Sequence, residues 1–193
     1  MVASNAPFEA FSADGHEVSW TTIEGDHAES MTLRWENEAW TATGQVARED
    51  VQYVLRIAPT WHVRQFLLFR DLDEPDLWLA IDAKHRWGEV NGAFRPELAG
   101  CADIDLACTP FAATVPIRRL GLAVGQSAEI DVISVDVDNL GAIATPTRYE
   151  RTGERTWRAT SLPSGDVRAY DVDERGLVVR EHGRFTLVDG GDA

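Results

Sequence analysis

The chain has 193 residues, a length that suits one domain whose core is large enough to fold without disulfides or metals. Its 32 acidic and 18 basic residues give a formal net charge of −14, which repels phosphate backbones and anionic bilayers. We therefore expect neither nucleic-acid binding nor stable membrane insertion.

Alternating polar and apolar residues, the pattern typical of β-strands, run through the first half of the chain. They predict strands at 17–23, 30–35, 39–46, 51–57, 61–69, 77–81 and 87–90. Pro59 separates two of these strands, and the pair Asn91-Gly92 predicts a reversal after the last one.

The second half continues in the same way, with strands predicted at 103–106, 115–124, 128–137, 148–151, 155–160, 167–171, 177–180 and 185–188. Within 128–137 the apolar alternation shifts by one position between Val132 and Ile133, which predicts a β-bulge. Helical patterning is nearly absent, and only 137–143 could form a turn or two of helix.

More than a dozen short strands predict an all-β fold, either a barrel or a sandwich. Closing the sheet into an antiparallel β-barrel removes its edges and creates an interior that side chains or a ligand must fill. We assign 1–15 to an N-terminal extension, 16–189 to a single barrel domain and 190–193 to a C-terminal tail.

The segment 98–120 departs from ordinary strand composition. On a strand, Asp103 and Asp105 share one face and Ile104 lies on the opposite, apolar face, so the two carboxylates lie either in solvent or in an enclosed polar site. Pro110 and Pro116 bracket a predicted five-residue loop. The strand after it would project Arg118 and Arg119 to opposite sides, so one of them can face the aspartates and pair with them.

The two cysteines, Cys101 and Cys108, are predicted to be reduced and buried. On a continuous strand their backbones would be about 23 Å apart, at roughly 3.3 Å per residue, whereas a disulfide needs Cα atoms within about 7 Å. Residues 1–7 lack the basic and apolar regions of a secretory signal, and no apolar run of 18 residues exists. We expect a cytoplasmic protein.

The segment 98–120 also resembles the signature of the glycolipid-binding-like family. That signature is a Gly-Cys-x-Asp-x-Asp segment, then Thr-Pro-Phe-Thr-Asn-Thr, then Leu-Pro-Ile-Arg-Arg-Leu. The resemblance extends over the chain through Trp20, Glu29, Trp61 and Trp87, the pair Arg148-Tyr149 and the closing segment 172–178. The signature residues that this chain keeps are Gly100, Cys101, Asp103, Asp105, Thr109, Pro110, Phe111, Thr114, Pro116, Ile117, Arg118, Arg119 and Leu120.

The resemblance implies an antiparallel β-barrel similar in outline to lipoprotein-localisation factors, with a glycolipid-binding role. The chain departs from the family at Ala112 and Ala113, where Thr and Asn are usual, near Thr147, where a glutamine is missing, and near Trp157, where an aromatic pair is reduced to one. The candidate ligand-binding residues are Asp103, Asp105, Arg118, Arg119, Trp20, Trp61, Trp87, Phe111 and Tyr149.

These observations favour a non-catalytic protein that holds a lipid-like or glycolipid-like amphiphile inside the barrel, without a cofactor. The Asp-Arg group could instead be a structural ion-pair network. Two alternatives stay open: a hydrolase of a glycoside or ester that uses Asp103 and Asp105, and a protein–protein interaction module. His62 and His85 have no partner at ligand spacing, so no metal site is predicted.

Overall fold

The computed structural model describes residues 8–70 and 74–192, with side chains up to 188 in the last strand. The predicted absence of a secretory signal at 1–7 lies outside these residues. The described chain forms fourteen strands, one α-helix and a short 3-10 helix at Pro96–Leu98. The strands are β1 (His16–Thr22), β2 (His27–Glu36), β3 (Ala39–Val46), β4 (Val51–Ile57), β5 (Val63–Phe69), β6 (Leu77–Ile81), β7 (Trp87–Glu89), β8 (Asp103–Leu106), β9 (Ser127–Val135), β10 (Ala142–Arg151), β11 (Thr156–Ser161), β12 (Val167–Val172), β13 (Val178–Glu181) and β14 (Phe185–Asp192).

All fourteen strands belong to one strongly curved sheet, which confirms the all-β prediction. Their order is β7-β6-β5-β4-β3-β2-β1-β14-β13-β12-β11-β10-β9-β8, and the described neighbours pair antiparallel except for the parallel pair β8–β9. The sheet is not closed, because β7 and β8 are its two ends and do not pair. Instead the ends meet through single contacts, such as the indole N–H of Trp87 in β7 donating to the Cys101 carbonyl just before β8 at 2.9 Å.

The curvature of the sheet places β9 between two apolar cores. The β-bulge predicted within this strand is wrong, for the following reason. Val132 packs in the smaller core, whereas the next residue, Ile133, packs in the larger one. The pairing of β9 with β10 runs from Ser127 to Val135 without a shift in register. Two consecutive apolar residues therefore reflect a strand that is buried on both faces, not an extra residue in the ladder.

The structure also corrects the loop and strand predicted after Pro110. Phe111–Leu120 is an α-helix, α1, packed inside the curved sheet. Residues of α1 face both cores: Phe111 packs in the larger core and Ile117 in the smaller one. Pro116 lies inside the helix, where it removes one backbone donor, and Gly121 ends the helix in the left-handed conformation (φ 53°). Proline and β-branched residues have low helix propensity, so the local pattern did not predict this helix, which tertiary packing stabilises.

The turns of the sheet define two ends of the molecule. The Cys108 end contains the β1–β2, β3–β4, β9–β10 and β13–β14 turns and the β8–α1 connection. The Trp61 end contains the β2–β3 and β4–β5 turns and the C-terminal end of α1. Residues 8–15, which have no regular secondary structure, cover the Trp61 end: Phe11 lies 5.7 Å from Trp61 and 6.1 Å from Trp40 between ring centroids.

Candidate functional site

The two aspartates of β8 share one face of the strand, as predicted, and this face meets an enclosed polar site, which was one of the two alternatives left open by the sequence. Asp103 is fully buried and accepts hydrogen bonds from Arg119 of α1, at 3.1 Å from Nε to Oδ1 and 2.5 Å from Nη2 to Oδ2. Asp105 accepts a 2.6 Å hydrogen bond from Arg168 of β12. Two separate arginines thus hold the two carboxylates, and β8 is tied both to α1 and to the far side of the smaller core.

Burial dominates the electrostatics of this polar site. It raises the pKa of Asp103 even though Arg119 acts in the opposite direction. It also raises the pKa of Tyr149, whose ring is buried in the smaller core close enough for the charge of Asp105 to add to the effect. Tyr149 therefore stays a neutral phenol. The ion pairs Asp103–Arg119 and Asp105–Arg168 fix the geometry of this polar site.

Arg118 faces away from the aspartates and towards the Trp61 end. Its guanidinium lies 4.2 Å from the Trp61 ring centroid and 4.7 Å from that of Phe11, and its Nη1 donates to the Glu9 carbonyl at 3.1 Å. Burial lowers the pKa of Arg118 to about 10. Residues 8–11 thus dock onto this cation, which forms no ion pair with the described carboxylates.

The remaining predicted residues lie in the larger core. Trp20 and Trp87 are buried, and their indole N–H groups donate at 2.9 Å to the carbonyls of Val178 and Cys101. Phe111 is also fully buried, and Trp61 has only 7% of its surface exposed. These side chains and α1 fill the space enclosed by the curved sheet, which we call the roll. The interior predicted to hold a ligand is therefore occupied by protein.

A second buried carboxyl, Glu29 of β2, lies close to the Cys108 end. Tyr53 donates to it at 2.5 Å, and Thr109 lies 3.4 Å from the Tyr53 hydroxyl. The other Glu29 oxygen has no hydrogen-bond partner among residues 8–70 and 74–192. Burial raises the pKa of Glu29 to about 7, although the hydroxyls of Thr109 and Tyr53 act in the opposite direction. A side chain at Gly44 would meet the Tyr53 ring at 2.2 Å, so glycine lets this tyrosine reach Glu29.

An open cleft of about 650 Å³ lies at the Cys108 end. Its floor is Ala107 and Cys108, directly after β8, and aliphatic side chains of β9, the following turn and β10 form one wall. Glu49 and Arg184 stand on the other side. Its aliphatic wall consists of Val135, Val137 and Ile143. None of the nine residues predicted to bind a ligand lines this cleft.

Arg119 reaches a different depression, a groove of about 460 Å³ on the side of the molecule. The groove lies where the short strand β8 leaves the first half of β9 without a partner. Glu129 and Asp131 of β9 line it together with Gly100 and Ala102. Of the nine predicted residues, Arg119 is the one that lines this groove.

Sequence and structure comparisons place this architecture in a family. The profile of the family described as "Putative glycolipid-binding" matches residues 17–186. The chain belongs to this family. A crystal structure of a DUF1089 family protein from Pseudomonas aeruginosa, determined at 1.80 Å, is similar, with a TM-score of 0.70 and 30% identity over 82% of this chain and 91% of that chain. No curated protein sequence matches the chain.

In this member of the glycolipid-binding family, the structure brings together four of the nine predicted residues: Asp103, Asp105, Arg119 and Tyr149. It places Arg118 and Trp61 at one end, and Trp20, Trp87 and Phe111 in the larger core. The contact of these residues with a ligand stays a prediction. No helix in residues 8–70 and 74–192 has the length and apolar character needed to cross a bilayer.

Sequence reasoning missed Arg168 and the residues that line the cleft. Arg168 comes 63 positions after its partner Asp105, and nothing local marks it. The cleft residues come from three turns and the end of β8. One sequence signal near the cleft was the segment 98–120, which supplies the cleft floor at Ala107 and Cys108.

Proposed function

We propose that this chain binds a glycolipid-like amphiphile, without catalysis, in the cleft at the Cys108 end. The carrying observation is a solvent-open cleft of about 650 Å³ with an aliphatic wall, within the range of roughly 300–1,000 Å³ typical of small-molecule sites. The family description supports a ligand of this class. The cleft replaces the closed interior as the proposed place for the hydrocarbon tail, because side chains fill that interior.

An exposed isoleucine at the mouth of the cleft supports the placement of the ligand's hydrocarbon tail there. Ile143 of β10 has 64% of its surface exposed and lines the cleft, whereas Val135, which pairs with Ala142, points to the larger core. Apolar side chains that line a solvent-open cavity are typical of a site for an apolar ligand. An alkyl chain lying along this wall would remove the Ile143 side chain from water and gain hydrophobic free energy.

The polar rim supports an uncharged head group. Asp136 and Asp138 of the β9–β10 turn and Glu49 of the β3–β4 turn line the cleft, against the single cation of Arg184. Arg184 is already paired with Glu181 at 2.7 Å. An anionic head group would meet uncompensated carboxylates at this rim, whereas hydroxyl groups can donate to them.

The hydrolase alternative receives less support from the geometry. Its two proposed carboxylates are each paired with an arginine, and Asp103 is fully buried away from the cleft. In the described residues, the Asp103–Asp105 pair faces α1 and the smaller core rather than a space that could hold a scissile bond. We propose the cytoplasm as the compartment, since Cys101 and Cys108 are free thiols.

Binding of n-octyl-β-D-glucoside below its micellar concentration tests this function by isothermal titration calorimetry. The cleft variant is Ile143→Asp, which places a charge on the apolar wall at an exposed position that packing does not need. We expect the variant to weaken binding at least tenfold, because a charged carboxylate beside an alkyl chain must be desolvated.

The matched control is Val167→Asp on β12, where the valine is 59% exposed but lies away from the cleft. This control should bind the glucoside as the unmodified protein does. Absence of binding, or an equal loss in both variants, would contradict ligand binding in the cleft. An effect of Asp131→Asn, at an exposed residue that lines the lateral groove, in place of Ile143→Asp would favour that groove.

A further inference from the structure

A second, smaller pocket of about 170 Å³ adjoins the cleft at the Cys108 end. It lies between the β1–β2, β3–β4 and β13–β14 turns, and it shares Glu49, Cys108 and Arg184 with the cleft. At about 30 Å³ per water molecule this volume holds roughly six waters, a space of the order of one sugar ring. The two spaces therefore lie side by side over the same floor.

The smaller pocket contains a hydroxyl without a partner. Thr22, the last residue of β1, lines the pocket, and its Oγ1 is buried and forms no hydrogen bond with the described residues. A buried hydroxyl that forms no hydrogen bond is destabilising, and buried polar atoms in proteins are nearly always paired. An oxygen or hydroxyl of a bound molecule would supply the missing partner.

The charged residues around this hydroxyl carry both signs. Glu24 and Glu49 offer acceptors, while Arg48 and Arg184 offer donors. Hydroxyl groups both donate and accept, so a polyhydroxyl ring can use all four side chains, whereas a phosphate or an ammonium group would be opposed by half of them. The set is therefore suited to a neutral sugar.

Arg184 lies at the boundary between the two spaces. Its Nη1 donates to the buried Glu181 at 2.7 Å and its Nη2 donates to the Ala107 carbonyl at 2.5 Å. These two contacts fix the guanidinium above the cleft floor, where it lines both spaces. A ligand that crosses this boundary would have its polar part on one side and its apolar part on the other.

We propose that the smaller pocket is a subsite for a single uncharged sugar ring, with Thr22 as a hydrogen-bonding residue, and that the hydrocarbon tail of the same ligand lies in the cleft. This inference rests on the proposed function, and it adds the class of the head group and the orientation of the ligand.

The test compares n-octyl-β-D-glucoside with 1-octanol, which has the same tail and no sugar, by calorimetry on the unmodified protein and on Thr22→Val. We expect the glucoside to bind at least tenfold more tightly than octanol. Thr22→Val should weaken glucoside binding about three- to tenfold, the usual effect of losing one hydrogen bond, and leave octanol binding unchanged. Since the Thr22 hydroxyl has no partner in the part of the chain that the structure describes, this variant should stay folded.

The control is Thr21→Val, the same substitution one residue earlier on β1, where the side chain points to the other face of the sheet and does not line the pocket. It should bind both probes as the unmodified protein does. Equal affinity for the two probes, with no effect of Thr22→Val, would overturn the sugar subsite and leave tail binding in the cleft intact. Failure of both probes to bind would overturn the proposed function together with the subsite.

Discussion

Glu29 shows how burial alone can set the behaviour of one residue. Its carboxyl is fully enclosed, with Tyr53 donating to one oxygen, and burial outweighs the hydroxyl groups that favour its charged form. Burial therefore raises its pKa from 4.5 to about 7, so the folded protein holds this proton up to neutral pH. In the unfolded chain the same carboxyl loses its proton near its ordinary pKa.

This difference makes stability depend on pH in a defined window. The contribution of Glu29 to the free energy of unfolding is complete below about pH 4.5, falls as pH rises, and is lost above about pH 7. The shift corresponds to about 3 kcal/mol. We expect Glu29→Gln, which is neutral at every pH, to be more stable relative to the unmodified protein at pH 8 than at pH 5, by about 2–3 kcal/mol.

Urea unfolding of both proteins at pH 5 and pH 8 measures this change, with Glu9→Gln, the same substitution at an exposed glutamate, as the matched control. The comparison at two pH values is needed because burial also raises the pKa of Asp103, Asp173 and Glu181, which affects both proteins alike. If Glu29→Gln changed the free energy of unfolding by the same amount at both pH values, this would show that the Glu29 carboxyl is charged in the folded state.

At the scale of elements, α1 is held in the roll by packing on two sides and by one buried ion pair. Its apolar residues face both cores, and Arg119 near its C-terminal end binds Asp103 at the start of β8. The pair connects the helix to the edge strand of the sheet. Removing one partner would leave the other charge buried and unpaired, which is strongly destabilising.

Arg119→Met should therefore cost about 3–5 kcal/mol of stability, and the double variant Arg119→Met with Asp103→Asn should recover part of that loss. The matched control is Arg148→Met. Arg148 binds Glu129 with the same 2.5 Å contact, but both of these side chains are about half exposed. The control should cost less than about 1 kcal/mol. Equal losses at Arg119 and Arg148 in denaturant titrations would show that burial adds nothing to the pair.

At the scale of the whole molecule, a single sheet rolls until its two ends meet without pairing. The larger core lies between the first half of the sheet and the strands β8–β10, and the smaller core lies between those strands and the second half. Packing of this kind excludes water from both ends of β8, where the two cysteines lie with only 6% and 7% of their surfaces exposed.

The cysteines should report on the integrity of the roll. Burial is the main cause that raises the pKa of Cys101 to about 11 and that of Cys108 to about 12. The thiolate is the reactive form, so at pH 8 we expect iodoacetamide to modify both at least about 100-fold more slowly in the folded protein than in urea. Mass spectrometry of the alkylated peptides measures the two rates. Rapid modification of Cys101 in the folded protein would show that β8 opens readily.

The local sequence pattern was sufficient wherever the answer depends on neighbouring residues. Strand alternation predicted the all-β class and the opposite faces of Asp103 and Ile104, because side chains on a strand alternate with a period of two. The prediction that one arginine would face the aspartates is met by Arg119, although on a helix and not on a strand. The spacing of the cysteines predicted free thiols, as the structure has them.

The tertiary structure alone decided the features that join distant segments. Residues 111–120 are helical because two cores pack against them, which overrides the local influence of Pro116. Arg168 reaches Asp105 from another strand, and the cleft and its neighbouring pocket form where separate turns meet. Contacts of this kind depend on how far the sheet curves, which is set by the packing of the whole chain and leaves no periodic signal in the sequence.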